Sequence, residues 1–310
     1  MSLLISVQNI RKTYGLNPLF SSVSININAN ERLGIIGPNG AGKSTTIRML
    51  LTLIKPSGGE ISIFDKNLST HRSDILKQVG AVIEKPDLYK YLSAYDNLAI
   101  FAKMSGIKAD KKLLMEQLKM VGLDERAGSK VKTFSQGMKQ RLGIAVALVH
   151  NPQLIILDEP TNGLDPQGIA DMRNLILHLS RELGKTIVVS SHLLSEIELV
   201  ANRMIIIHKG KKIVEGKVAE LLDPSKSLVQ LETVDNVAAR EKLLQTNWAA
   251  SLQNNTVKLQ LKMNKEDVPA LIATLVTMQV QVLSVDPMHS LEDYFLSLTT
   301  QPGHVESFAN

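Results

Sequence analysis

Three features of the sequence predict an α/β chain with a parallel-sheet core and a smaller α+β domain behind it. First, Leu33 to Ile36 (L-G-I-I), Leu154 to Leu157 (L-I-I-L) and Thr186 to Val189 (T-I-V-V) are short runs with little polar alternation, separated by amphipathic stretches of helical length. Runs of that kind are strands buried on both faces, as in a parallel sheet. Second, the first run leads straight into G-P-N-G-A-G-K-S-T, Gly37 to Thr45, and then into a helical pattern. Third, beyond about residue 223 the elements take the order β-α-β-β-α-β, which belongs to small mixed domains.

The Gly37–Thr45 stretch fits the spacing G-x-x-x-x-G-K-[ST] at Gly37, Gly42, Lys43 and Ser44. Glycines at Gly37, Gly40 and Gly42 let backbone N–H groups approach phosphate oxygens with no Cβ in the way. Lys43 supplies a cation to the β- and γ-phosphates, and the Ser44 hydroxyl is suited to magnesium. Pro38, Asn39, Ala41 and Thr45 complete the loop, and the following helix aims its positive end at the anion. A nucleoside triphosphate is the ligand this arrangement implies.

In chain order, Leu3 to Ile10 reads as a strand and Tyr14 sits where a turn leaves it. Ser22 to Ile27 alternates polar and apolar residues, a half-exposed strand. P-S-G-G (Pro56 to Gly59) breaks the loop helix, and E-I-S-I-F begins another strand. Gln78 to Pro86 is a strand ending in Glu84. Residues from about 90 to 145 form a helical insertion, with helices over Ala94–Met104, Asp110–Val121 and Thr133–Ala145. Its lysines (Lys103, Lys108, Lys111, Lys112) read as a solvated face. Ser135 caps the third helix, where its hydroxyl and the Gly137 N–H are open to an anion.

The Leu154 strand ends in Asp158 and Glu159, at the carboxyl edge where parallel sheets bind ligands. Adjacent strand residues face opposite ways. One carboxylate can therefore serve a magnesium ion while the other orients an attacking water. Asp165–Pro166 starts a helix with an apolar face at Ile169, Met172, Ile176, Leu179 and Leu183. The strand T-I-V-V-S-S ends at His192 and is expected beside the Asp158 strand. Met204 to Gly216 reads as strand, turn, strand.

Taken together, these motifs resemble the ATP-binding subunits of ABC transporters, over roughly residues 1 to 222. The match runs in the family's order: Tyr14 at the adenine-stacking aromatic, Gly37–Thr45 as Walker A, F-S-Q-G-M (Phe134 to Met138) as the signature loop, Leu154–Glu159 as Walker B, N-G-L-D (Asn162 to Asp165) as the D-loop, and His192 as the switch histidine. The resemblance implies a P-loop NTPase fold of ABC type, with antiparallel N-terminal strands beside the parallel core. It implies ATP and Mg²⁺ as ligands, with Lys43 and the loop amides on the phosphates and Ser44 and Asp158 on the metal. Glu159 becomes the general base or water-orienting residue, and His192 the γ-phosphate contact. Two copies clamp two ATP head to tail, so that Ser135 and Gly137 act on the partner's nucleotide.

Two motifs depart from the family pattern. Glu84 stands at the Q-loop glutamine, where a carboxylate can still ligate magnesium but adds negative charge. In the signature, Gln136 and Met138 replace the usual Gly and Gln. Both departures resemble the bacitracin- and lantibiotic-export or immunity branch, whose bacterial members pair with a separate multi-span membrane subunit. That implies a cytoplasmic chain peripheral to the inner face of the membrane, with the helical insertion and the Glu84 loop docking the partner.

Composition bounds the alternatives. The chain has 310 residues, no cysteine and a net charge of +5. Disulfides and thiolate metal sites are excluded, and the mild basic charge is that of an ordinary solvated surface. Its apolar runs, such as Ile144 to Val149, are far shorter than a membrane span, and the first ten residues are not expected to be a signal peptide. The rival reading, a soluble ABC-type ATPase acting on ribosomes or nucleic acid, usually comes with two ATP-binding halves or long coiled coils. Neither is present, so no nucleic-acid partner is expected.

Behind the D-P-S-K linker (Asp223 to Lys226), the expected elements are a strand over Ser227–Val234, a helix over Asn236–Gln245, strands W-A-A-S-L (Trp248 to Leu252) and T-V-K-L-Q-L joined by a Q-N-N turn, a helix from Asp267, a strand over Val280–Val285 and a helix over Ser290–Thr299. That order is ferredoxin-like or split βαβ over residues 223–300. Trp248 is expected in its core, and residues 301–310 are expected to be a flexible tail.

Overall fold

The computed structural model describes residues 2–15, 17–221, 228–253 and 259–288. The D-P-S-K linker, the turn residues Asn254 and Asn255, the helix expected from Ser290 and the tail lie outside them. Two compact units divide between Lys217 and Val218, slightly ahead of the expected linker, and each has its own apolar core.

In the first unit β1 (Leu3–Tyr14), β2 (Asn17–Asn28), β3 (Arg32–Ile36), α1 (Lys43–Leu50), β4 (Gly58–Ile63), β5 (Lys66–Asn67), α2 (Arg72–Leu76) and β6 (Val79–Ile83) come first. The helices α3 (Ala94–Met104), α4 (Lys111–Met120) and α5 (Gln136–Leu148) come next. Then come β7 (Leu154–Asp158), α6 (Pro166–Arg181), β8 (Thr186–Ser191), α7 (Leu194–Val200), β9 (Arg203–His208) and β10 (Lys211–Lys217). One antiparallel sheet has the order β2-β1-β4-β5, and a second, six-stranded sheet the order β10-β9-β3-β8-β7-β6. In the second sheet β9, β3, β8, β7 and β6 are parallel, and β10 is an antiparallel edge.

Every residue of β7 and β8 is buried, which is why neither run alternates. Ile47 and Leu50 of α1 share one core with Ile5 and Ile63 of the antiparallel sheet and Ile35 and Ile156 of the parallel one. Each such side chain contributes about 1.5–3 kcal/mol by burial, so the helix behind the loop is clamped between two sheets. Lys103, Lys108, Lys111 and Lys112 of the helical insertion are exposed, as a solvated face requires. One expected face needs correction. α6 ends at Arg181, and Gly184 turns back at φ +62°, so Leu183 lies beyond the helix and is 41 % exposed. Leu175 takes the place in the buried stripe with Met172, Ile176 and Leu179.

The second unit contains α8 (Val218–Leu221), β11 (Leu228–Thr233), α9 (Asn236–Leu243), β12 (Leu259–Lys262), α10 (Val268–Thr277) and β13 (Val282–Met288). Its sheet has the order β12-β11-β13, antiparallel throughout. This is the arrangement of the first, third and fourth strands of the expected β-α-β-β-α-β order. Among the described residues the second strand is not formed: Asn247–Ser251 is a 3-10 turn, and a single bridge, Leu252 to Leu261, stands in its place. Thr246 starts the turn by accepting the Trp248 N–H, and the Trp248 indole packs on the core and donates to Thr274 Oγ1 at 3.2 Å. Two alanines between Trp248 and Leu252 give an extended strand little to pack with.

Candidate active site

The sheet order places β8 between β3 and β7, and the register aligns their carboxyl ends: Ile36 opposite Ser191, Ser190 opposite Asp158, and Asp158 opposite Ile83 of β6. Gly37, Glu84, Glu159 and His192 are the residues immediately beyond these ends. Four separate sequence stretches thus converge on one edge.

Between β3 and α1 the chain makes a turn closed by the Ala41 N–H on the Pro38 carbonyl at 3.1 Å, with Asn39 and Gly40 exposed at its tip. Gly40 has φ +81°, and Gly42, the residue that caps α1, has φ +107°. A Cβ on Gly42 would stand 2.3 Å from the Phe20 ring, so the position is closed to side chains by conformation and by space. No acidic residue lies in the first turn of α1, which leaves its N-terminus electropositive. Thr45 lies half-buried in that turn. Lys43 is only 5 % exposed; its ammonium donates to the Gly37 carbonyl at 2.7 Å and reaches that of Pro38 at 3.4 Å.

The two carboxylates part company as their positions require. Asp158 ends β7 fully buried, and its Oδ1 accepts from Ser44 Oγ at 3.2 Å and from Ser190 Oγ at 2.5 Å. Glu159 has left the strand at φ +50°, a costly conformation for a non-glycine residue. Its N–H donates to Ser190 Oγ at 3.0 Å, its Oε1 lies 3.2 Å from Lys43 Nζ, and its Oε2 lies 2.6 Å from His192 Nδ1. With Nδ1 on the carboxylate, Nε2 of His192 is the ring nitrogen left for a ligand.

Asp158 Oδ2 is buried and has no hydrogen-bond partner among the described residues. An orphaned carboxylate oxygen beside a serine hydroxyl is a donor set for a hard cation. Among the described residues no group of three or more His, Cys, Asp and Glu could hold a metal by itself. Ser44 and Asp158 therefore suit Mg²⁺ with phosphate oxygens and water completing the shell. ATP fits the loop on three counts: a near-buried ammonium, an uncapped helix N-terminus and glycines that cannot carry side chains.

The remaining expected residues belong to other elements. Tyr14 ends β1 with 51 % exposure, with Lys12 Nζ 4.9 Å from its ring centroid. Ser135 caps α5 by accepting the Met138 N–H at 3.2 Å, and a Cβ on Gly137 would find open space out to 3.9 Å. Among the described residues no hydrogen bond ties Ser135 or Gly137 to the loop. Glu84 differs from expectation. Its carboxylate is taken by Arg48 of α1 at 2.5 Å and is not brought to Ser44 and Asp158. Its backbone, at φ +55°, gives its carbonyl to the buried amide of Gln140 at 3.2 Å. Arg48, at the far end of α1, draws the charge outward.

Ser190 does not stand out in the sequence, although its hydroxyl joins Asp158 to the Glu159 backbone. Two hydroxyls ending an otherwise apolar buried strand are the signal that could have found it.

Comparisons with known proteins agree with this geometry. The ABC transporter family matches residues 20–162. The bacitracin transport ATP-binding protein BcrA of Bacillus licheniformis is 40 % identical over 96 % of this chain and 98 % of its own length. The lantibiotic transport ATP-binding protein SrtF of Streptococcus pyogenes is 42 % identical over 74 % of this chain and 95 % of its own. Among solved structures, the dimeric post-hydrolysis state of the ATP-binding cassette MJ0796 bound to ADP and Pi matches with a TM-score of 0.63 and 30 % identity, covering 69 % of this chain and 99 % of that one. Loop, paired carboxylates, strand order and near full-length similarity agree, and the chain belongs to the ATP-binding proteins of the ABC transporter family.

Proposed function

We propose that this chain binds and hydrolyses ATP to power a bacterial exporter of a peptide antibiotic, or a similar amphipathic molecule, through a separate multi-span membrane subunit. The observation that carries the reading is the Glu159 carboxylate held between Lys43 and His192 at the mouth of the phosphate loop. Lys43 and the loop N–H groups bind the phosphates. Ser44 and Asp158 hold Mg²⁺, which when bound offsets charge on the β- and γ-phosphates. Glu159 orients or deprotonates the attacking water, and His192 meets the γ-phosphate through Nε2. Tyr14 offers its exposed face to the adenine. Glu84 is left out of the metal set because Arg48 holds it.

Ser135 and Gly137, unlinked to the loop of their own chain, close the nucleotide of a second copy. The dimeric ADP-bound cassette supports that arrangement. The names of the bacitracin and lantibiotic relatives support the cargo class. Among the described residues no helix is long and apolar enough to cross a membrane, and attachment to the inner face of the membrane comes through the partner subunit. The test is to tag the protein in its native host, solubilise membranes gently and identify what co-purifies. A multi-span protein in stoichiometric amount is expected. Recovery with ribosomes or nucleic acid instead would overturn the transport assignment and leave the ATPase standing.

A further inference from the structure

Glu159 and His192 follow different strands, and their contact at 2.6 Å is a hydrogen bond between side chains on two separate loops. His192 is more than a third exposed, and Glu159 sits at a strained backbone position. Something must hold both loops. Below the pair, the Thr161 hydroxyl donates to the carboxylate of Glu196, and the Ser191 hydroxyl lies 3.4 Å from the same oxygen, Oε2. Ser191 Oγ in turn accepts the Leu193 N–H at 2.9 Å, which bends the chain around His192. Thr161 is two residues past Glu159, Ser191 is next to His192, and Glu196 lies in the first turn of α7.

These contacts close a ring. It runs from Glu159 along the chain to Thr161, across to Glu196, back to Ser191, along to His192 and across to Glu159. A carboxylate that accepts from both arms joins the loops without competing for Lys43 or for the phosphate site. Its other oxygen, Oε1, is buried with no hydrogen-bond partner among the described residues, so the hydrogen bonds of this carboxylate are those to the two hydroxyls. A cavity of about 30 Å³ beside it, lined in part by Pro160, Thr161 and Ser191, leaves the loop after Glu159 room to shift once the tie is cut.

We propose that Glu196 is a positioning residue for hydrolysis: through Thr161 and Ser191 it fixes the Glu159 and His192 side chains against each other. The proposal rests on the roles proposed for Glu159 and His192, and Glu159→Gln tests those roles separately.

The experiment uses the full-length chain and measures kcat, KM for MgATP, affinity for a fluorescent ATP analogue and the thermal midpoint in Thr161→Val, Thr161→Ser, Glu196→Ala and the Thr161→Val/Glu196→Ala double variant. Val keeps the shape of Thr and removes the hydroxyl, whereas Ser keeps the hydroxyl. Thr161→Val is expected to lower kcat about tenfold, with KM and analogue affinity unchanged, because small misplacements of reacting groups act on rate before binding. Thr161→Ser is expected to restore kcat. The double variant is expected to be no slower than the slower single one, since both cut the same tie. Three results would each overturn the proposal: Thr161→Val within twofold of wild type, Thr161→Ser as slow as Thr161→Val, or rate losses that multiply in the double variant. If Glu196→Ala fails to fold, the Val and Ser variants at position 161 decide the matter alone.

Discussion

Replacing Glu159 with Gln changes one oxygen to an amide nitrogen, and the surroundings of that oxygen set the size of the effect. In the native chain Lys43 Nζ lies 3.2 Å from Glu159 Oε1, with the two side chains 5 % and 15 % exposed. A phosphate entering the loop competes with that carboxylate for the same ammonium and is repelled by its charge. Charge-assisted hydrogen bonds of this kind are worth about 1.5–3 kcal/mol. The amide oxygen retains part of the interaction, so removing the charge lowers the cost of the exchange by about 1 kcal/mol, roughly a fivefold tighter Kd for ATP. The rate moves the other way and further. Loss of a positioned base lowers turnover by about 10²–10⁴-fold. ATP should therefore accumulate uncleaved between two copies. A fluorescent ATP analogue reads the affinity, phosphate release reads the rate, and light scattering with ATP reads the dimer. Hydrolysis by Glu159→Gln at near the wild-type rate would remove Glu159 from the role of base.

Three other outcomes are expected. Lys43→Ala removes the ammonium from the loop and should weaken ATP binding by about 10–100-fold while also lowering kcat, since the same charge serves ground and transition states; an effect on binding alone would contradict this. Gly42→Ala forces a side chain into φ +107° and against Phe20, and should lower the thermal midpoint by about 5–10 °C along with ATP affinity; an unchanged midpoint in a calorimetric scan would contradict it. His150 is one contributor to the pH dependence of stability. Burial, opposed by its contact with the Val79 carbonyl and aided by Lys185, holds its imidazole below the ordinary value. The unfolded chain then takes up the proton first as pH falls, so this contribution is intact above pH ~6.5 and lost on acidification below it. His150→Gln should flatten the fall in thermal midpoint between pH 7 and pH 5, and an identical fall in both proteins would exclude His150 as its source.

How legible each feature is in the sequence depends on the range of the interaction that makes it. The loop between β3 and α1, the Ser135 cap of α5 and the Asp165 cap of α6 are local: a few adjacent residues determine the backbone, and their spacing states it. The neighbouring positions of Asp158 and His192 are readable too, because buried parallel strands have few ways to lie together and their carboxyl ends carry the ligands. Partner choice among charged and polar side chains is not written in this way. The motif position of Glu84 points to the metal, yet Arg48, 36 positions earlier, holds it. The strand expected at Trp248 gives way to a turn capped by Thr246, and its indole reaches Thr274 in α10, 26 positions on. Glu196 leaves no pattern a reader of one sequence could weigh, although Thr161 and Glu196 are 35 positions apart and lie within a hydrogen bond. The ends of the parallel strands determine which residues meet. The hydroxyls and carboxylates between them determine how firmly Glu159 and His192 are held, so variants of Thr161 and Glu196 should move the rate of a site whose motif residues are all intact.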